Sequence, residues 1–149
     1  TYVGAPLVYY GEEVGMWGAD DPDCRKPMVW EDLNYENEVT APRGGEFGPY
    51  PVQVNSDLLN YYKSLIALRS NEPALNIGSY RTVYANNTQM AFSREHGTDQ
   101  IVVLVNTGDQ PWMFDANSLG FNPDDFELIM ASASGEGIPA KSGKAYKRN

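Results

Sequence analysis

The sequence predicts a mainly β protein, an antiparallel β-sandwich over its second half preceded by one buried strand, a long loop and one helix. Three observations carry this. From about residue 78 onward, short apolar–polar alternations are separated by turn residues. Residues 56–72 carry the one strong helical period. The stretch "GAPLVYY" at 4–10 is apolar without alternation, which suits a strand covered on both faces, as in a parallel sheet.

That first strand has no partner nearby. A lone strand is not stable in water. The chain beyond it, through residue 55, is rich in Gly and Pro, including "APRGGEFGPYP" at 41–51. A loop of that length inside a compact domain belongs on a larger scaffold. The scaffold that grows such loops from the C-terminal ends of buried parallel strands is the (β/α)8 barrel. Residues 1–75 are therefore expected to be the last strand, loop and helix of an incomplete (β/α)8 barrel, and 76–149 the β-sandwich. Thr1 reads as a cut inside a longer chain, with the strand's partners upstream. Unpaired edges and two apolar faces further suggest that residues 1–55 are mobile or self-associate through a second copy.

The helix begins with Ser56 as N-cap and Asp57 in its first turn. Leu58, Tyr62, Leu65, Ile66 and Arg69 fall on one face, with the apolar four set to dock on the sandwich, and Pro73 ends the helix. The expected strands are 79–85, 89–95, 100–106, 111–116, 125–132 and 143–148, with Ile101–Val105 central. "NNT", "HGTD", "TGDQ" and "SGEG" lie between them and supply turn chemistry. This spacing fits a sandwich or a barrel.

Composition narrows the function. Hydrophobic residues make up 42% and charged ones 21%, the balance of a folded domain and not of a disordered chain. A net charge of −9 argues against sequence-independent nucleic-acid binding and against anionic membrane surfaces. No apolar run approaches a membrane span of ~20 residues. Cys24 is the single cysteine, so the fold rests on its core and not on an intrachain disulfide. Nothing in the sequence requires a cofactor, and the compartment is not legible.

Several stretches carry candidate chemistry. Asp20, Asp21 and Asp23 crowd one loop, but the Gly-turned twelve-residue calcium frame is missing, so they read as solvated carboxylates with no metal. Glu12 and Glu13 are neighbours that would point to opposite sides of a strand end, so they do not make a pair of carboxyls facing each other across a substrate bond. Glu13 is expected to order the strand's exit. His96 sits in a hairpin turn without a partner at motif spacing. "SGK" lacks the phosphate-loop frame. Trp17 and Trp30 could stack on a bound ring or pack within the loop. Asp21 and Arg25, four apart, read locally as a salt bridge ordering the loop.

The same residues resemble a known family. "GAPLVYYGEE", with Gly4, Pro6, Tyr9, Gly11 and Glu13, resembles the eighth-strand motif of the α-amylase family of glycoside hydrolases. "DDPDCRKPMVW" resembles the loop after that strand in neopullulanase and cyclomaltodextrinase-like members. "LLNYYKSLIALRSNEPAL" resembles the eighth barrel helix, and "MAFSRE…IVVLVNTG" the early strands of the C-terminal β-sandwich, domain C. The resemblance implies an enzyme that cleaves or transfers α-1,4-linked glucose oligosaccharides by a retaining mechanism. It places the nucleophile, the acid/base and a second aspartate upstream, so this chain has no catalytic residue of its own and should be inactive. It implies that Asp21 and Arg25 hold a glucose unit one subsite beyond the scissile bond. Carboxylate and guanidinium side by side suit sugar hydroxyls, which both donate and accept. The rival reading is a binding module with an aromatic platform on the sandwich, drawn from Tyr80, Tyr84, Phe92, Trp112 and Phe114. The plainest role for domain C is to shield and buttress the barrel.

Overall fold

The computed structural model describes residues 1–18, 21–40 and 44–149. The chain divides into two compact units, residues 1–4 with 68–149, and residues 5–67. In chain order the elements are β1 (Glu38–Thr40), β2 (Glu46–Tyr50), α1 (Ser56–Asn71), α2 (Pro73–Asn76), β3 (Ser79–Ala85), β4 (Gln89–His96), β5 (Asp99–Asn106), β6 (Phe126–Ala131) and β7 (Ser142–Arg148).

The larger unit is built on one antiparallel sheet of order β3–β4–β5–β7–β6. β5 is the centre, as its unbroken run of apolar residues predicts. Val102 and Leu104 point to one face, with Ala91, Trp112, Ala116, Phe121 and Ile138. Ile101 and Val103 point to the other, with Phe92, Ala145, and Ala74 and Leu75 of α2. Both faces are therefore covered, one by the short helix and the other by the chain between β5 and β6. Bulges between Thr82 and Tyr84 on β3, and between Leu128 and Met130 on β6, fall on the two edge strands. The second lets the neighbours Ile129 and Met130 pack on the same core. The fold is mainly β and antiparallel.

Five of the six expected strands in this half form. The exception is 111–116. There only Trp112 bridges, exchanging backbone hydrogen bonds of 2.8 and 3.0 Å with Ile138. Pro111 lacks an N–H, and the alternation of Trp112, Phe114 and Ala116 serves packing against the sheet instead of a ladder. Asn106 holds this irregular cover in place. It is fully buried, its amide donates to the carbonyls of Gln110, Ile138 and Pro139, and its Oδ1 accepts from Gly108 N–H. At the other end, Gly78 passes so close to the carbonyls of Ala74 and Glu95 that no Cβ fits.

Arg94 of β4 is 1% exposed and has no carboxylate partner among its hydrogen bonds. Its guanidinium donates to four carbonyls: Ser79 at 3.0 Å, Gly78 at 3.0 Å, Thr1 at 3.0 Å and Tyr2 at 3.2 Å. Arg69, in the last turn of α1, donates to Tyr2 and Gly4 at 2.9 and 2.6 Å. Two cations thus bind residues 1–4 along their backbone, while the Tyr2 ring meets Tyr80 and Phe92 edge-on. An ion pair of 2.7 Å between Lys147 and Glu72 joins β7 to the start of α2.

The smaller unit departs from the sequence reading in four ways. Residues 5–9 form no strand and are exposed, Leu7 to 87%, because a strand exists only through a neighbour's hydrogen bonds and none of the described residues supplies them. The loop has structure of its own, the β1–β2 hairpin. Its signal was weak, since Gly and Pro interrupt "EFGPY". The helix cap is Asn55 and not Ser56, for its Oδ1 accepts from Leu58 N–H at 3.0 Å. On α1, Leu58, Tyr62 and Leu65 are half-buried but Ile66 is exposed, outside the face its spacing assigns to it. Leu68, further along, packs on the core of Leu75 and Phe92. Among the described residues no helix is long and apolar enough to cross a membrane.

Arg94→Met removes the donor shared by four carbonyls. It should destabilise the chain by about 2–4 kcal/mol, read as a lowered midpoint in urea unfolding with the slope unchanged.

Candidate functional site

The candidate site is the loop from Tyr9 to Lys26. It starts with a turn that closes on itself. Glu12 N–H donates to the Tyr9 carbonyl at 3.1 Å and Met16 N–H to the Gly11 carbonyl at 2.9 Å, around the 3-10 turn Glu12–Val14. Gly11 has φ +90°, and a Cβ there would sit 2.5 Å from the Met16 sulfur, so the turn needs glycine. Both glutamates are used locally. Glu13 Oε2 accepts from Gly11 N–H at 2.9 Å, which is the ordering role expected of it, and Glu12 Oε2 accepts from Tyr9 N–H at 3.3 Å.

From this turn the chain runs to a second 3-10 turn, Asp23–Arg25, which sets the side chains of 21 to 26. Asp21 and Arg25 meet fork on fork: Nε donates to Oδ1 and Nη2 to Oδ2, both at 2.7 Å. Their side chains are 58% and 63% exposed. The pair predicted from the sequence is therefore formed and open to solvent. A bidentate ion pair uses only part of the five N–H donors of a guanidinium.

Asp23 behaves differently from the solvated carboxylate expected of it. It is 7% exposed and lies 3.2 Å from Lys26 Nζ. The same ammonium reaches Glu38 of β1 at 2.7 Å and sits 3.8 Å from the centroid of the Trp17 ring. Burial is tolerated here because one cation serves two carboxylates and an indole face. Trp17 in turn meets Tyr50 of β2 edge-on. Tyr10 closes the loop by donating its hydroxyl to the Lys26 carbonyl at 2.9 Å. Desolvation, reinforced by Tyr9, pushes the Tyr10 phenol above its ordinary value. Lys26 and Glu38 were not singled out from the sequence. The three-residue spacing of Asp23 and Lys26 is a visible signal, but Glu38 comes from a hairpin that was not foreseen. Asp20 lies outside the described residues.

Of the five aromatic residues considered for a binding platform, only Tyr84 is exposed. Phe92 and Trp112 are buried in the two cores, Tyr80 and Phe114 are half-buried against them, and Tyr84 lies stacked on Trp112 at 5.3 Å. His96 is exposed at the β4–β5 turn.

Comparison with known proteins agrees with the resemblance. Residues 80–144 match the family model "Neopullulanase-like, C-terminal domain". A cyclomaltodextrinase of Thermoanaerobacter pseudethanolicus is 32% identical over 146 residues, which is 98% of this chain and 22% of that protein. The chain belongs to the neopullulanase-like members of the α-amylase family. Neopullulanase 2 of Thermoactinomyces vulgaris is 37% identical over 74% of the chain and 16% of its own length. The crystal structure of the Nostoc punctiforme debranching enzyme superposes with a TM-score of 0.63 at 28% identity, over 98% of this chain and 28% of that one. The chain thus spans about a fifth of the length of the curated relatives it matches. Within the family, residues 80–144 are the C-terminal β domain.

Asp21→Ala should change the melting temperature very little, since an exposed pair contributes at most about 1 kcal/mol. Asp23→Ala should cost about 1–3 kcal/mol, because it strips a buried partner from Lys26. Thermal unfolding of the two variants side by side checks both.

Proposed function

We propose that residues 1–75 are the closing end of a (β/α)8 catalytic barrel and 76–149 its domain C, in a retaining hydrolase that acts on α-1,4-linked glucose oligosaccharides. The observation that carries the reading is the identity to a cyclomaltodextrinase across 98% of the chain. It comes together with an Asp21–Arg25 pair held open to solvent on the loop after Gly11. In that enzyme Asp21 and Arg25 grip the hydroxyls of a glucose unit next to the scissile bond, and domain C buttresses the barrel. The burial of Phe92 and Trp112 weighs against an independent carbohydrate-binding sheet face.

This chain by itself should not turn over. Glu12 and Glu13 are the carboxylates of the loop's first turn, and each accepts a backbone N–H of that turn instead of flanking a cleft. Purified alone, it should release no reducing sugar from soluble starch, maltoheptaose or β-cyclodextrin; turnover abolished by Glu13→Gln would sink the reading. In the catalytically complete enzyme, Asp21→Ala or Arg25→Ala should cost roughly 1–3 kcal/mol in kcat/KM at unchanged unfolding temperature. Wild-type kinetics with early melting would leave the pair a structural salt bridge.

Self-association through residues 1–55 belongs to the same proposal. Leu7, Val8, Tyr9 and Tyr10 form a run of exposed apolar side chains of the kind that seeks cover. Light scattering of the chain should show a concentration-dependent oligomer that Leu7→Ser with Val8→Ser converts to monomer; a wild-type monomer at every concentration refutes it.

A further inference from the structure

Of the three tryptophans, two are engaged and one is not. Trp17 carries Lys26 on its face and Tyr50 at its edge, and Trp112 is buried against Tyr84. Trp30 is 57% exposed, and among the described residues no ring or cation contacts its indole. Yet its backbone is firmly held. Its N–H donates to the Tyr35 hydroxyl at 2.7 Å, its carbonyl accepts from Leu33 N–H at 3.3 Å, and the preceding Val29 is buried. A large ring fixed at its root and left open at its face is presented rather than packed.

The surroundings of this ring have a definite chemistry. Trp30 lines a groove of about 320 Å³ between residues 30–37 and 51–56. Glu31, Asn34, Asn37 and Gln53 also line it, and none of these four side chains makes a hydrogen bond or ion pair among the described residues. No Lys, Arg or His is among the lining residues, which disfavours a phosphate or carboxylate ligand. Amides that both donate and accept, one carboxylate and an open indole match a neutral ring bearing hydroxyls at its rim and C–H groups on its face. The size lies at the low end for small-molecule sites, ~300–1,000 Å³, and suits one or two sugar units.

We propose that this groove is a saccharide-binding site in which a glucose unit of an α-glucan stacks on Trp30, with Asn34, Asn37 and Gln53 reading its hydroxyls. Its lining does not include Asp21 or Arg25. The choice of α-glucan rests on the function proposed above; the groove itself stands on Trp30 and the unpaired amides.

Maltotriose titrated into the 149-residue chain, monitored by tryptophan fluorescence and by calorimetry, tests it. Binding should be saturable, and Trp30→Ala should weaken it about ten-fold or more. Asn34→Ala with Asn37→Ala should weaken it too while retaining the fluorophore, which guards against a misfolded Trp30 variant. Asp21→Ala should keep the fluorescence change that depends on Trp30. Trp30→Ala binding as wild type does, or no binding to the wild-type chain in the tens of millimolar, overturns the proposal. Binding lost with Asp21→Ala but kept with Trp30→Ala would refute the groove and leave the Asp21–Arg25 reading intact. The reverse pattern would support the groove, and the Asp21–Arg25 reading is decided separately by the kinetics of the complete enzyme.

Discussion

β5 must be dry on both sides, and the larger unit is organised around that constraint. Ile101, Val102, Val103 and Leu104 are consecutive and all buried, so a cover on one face would leave two of them in water. Chain is therefore committed to both faces. Ala74 and Leu75 come from the short α2 helix on one side, and Trp112, Phe121 and Ile138 from irregular segments on the other. An irregular cover cannot pair its backbone in a ladder, and Asn106 donates to three of its carbonyls from a single buried amide. Arg94 does the equivalent at the opposite end for the carbonyls of residues 1–2 and 78–79.

The smaller unit is organised by charge more than by apolar burial. Lys26 lies among Asp23, Glu38 and Trp17, and links the 21–26 turn to the β1–β2 hairpin. The arrangement separates two carboxylates that look alike in the sequence. Asp23 is turned inward and held by the ammonium, while Asp21, two residues earlier, pairs with Arg25 at the surface. A turn of three residues is enough to give them opposite environments.

A loop built in this way can offer polar groups without losing its own shape. Its internal hydrogen bonds run through Gly11, Glu12, Glu13 and Tyr10. Asp21 and Arg25 stay at the surface of this loop, paired with each other. Preorganised groups of this kind lose little entropy on meeting a ligand.

The sequence by itself determined the β pattern of residues 79–106 and 126–148, the helix from 56 and the centrality of Ile101–Val105. These depend on side-chain period and local turn chemistry, which are properties of neighbours along the chain. It also determined that Asp21 and Arg25 would meet, since four residues across a tight turn leave them little choice. The tertiary structure alone decided that Trp112 bridges Ile138 without becoming a strand, and that Asp23 goes inside. It also decided that Asn55 takes the cap and that 5–9 stay unpaired. Two of these depend on a partner far away in sequence, Ile138 for Trp112 and Glu38 beside Lys26 for Asp23, while Leu7 and Val8 meet no pairing strand among the described residues. Period and propensity describe what a segment can bury, whereas only the assembled chain settles what is there to bury it against.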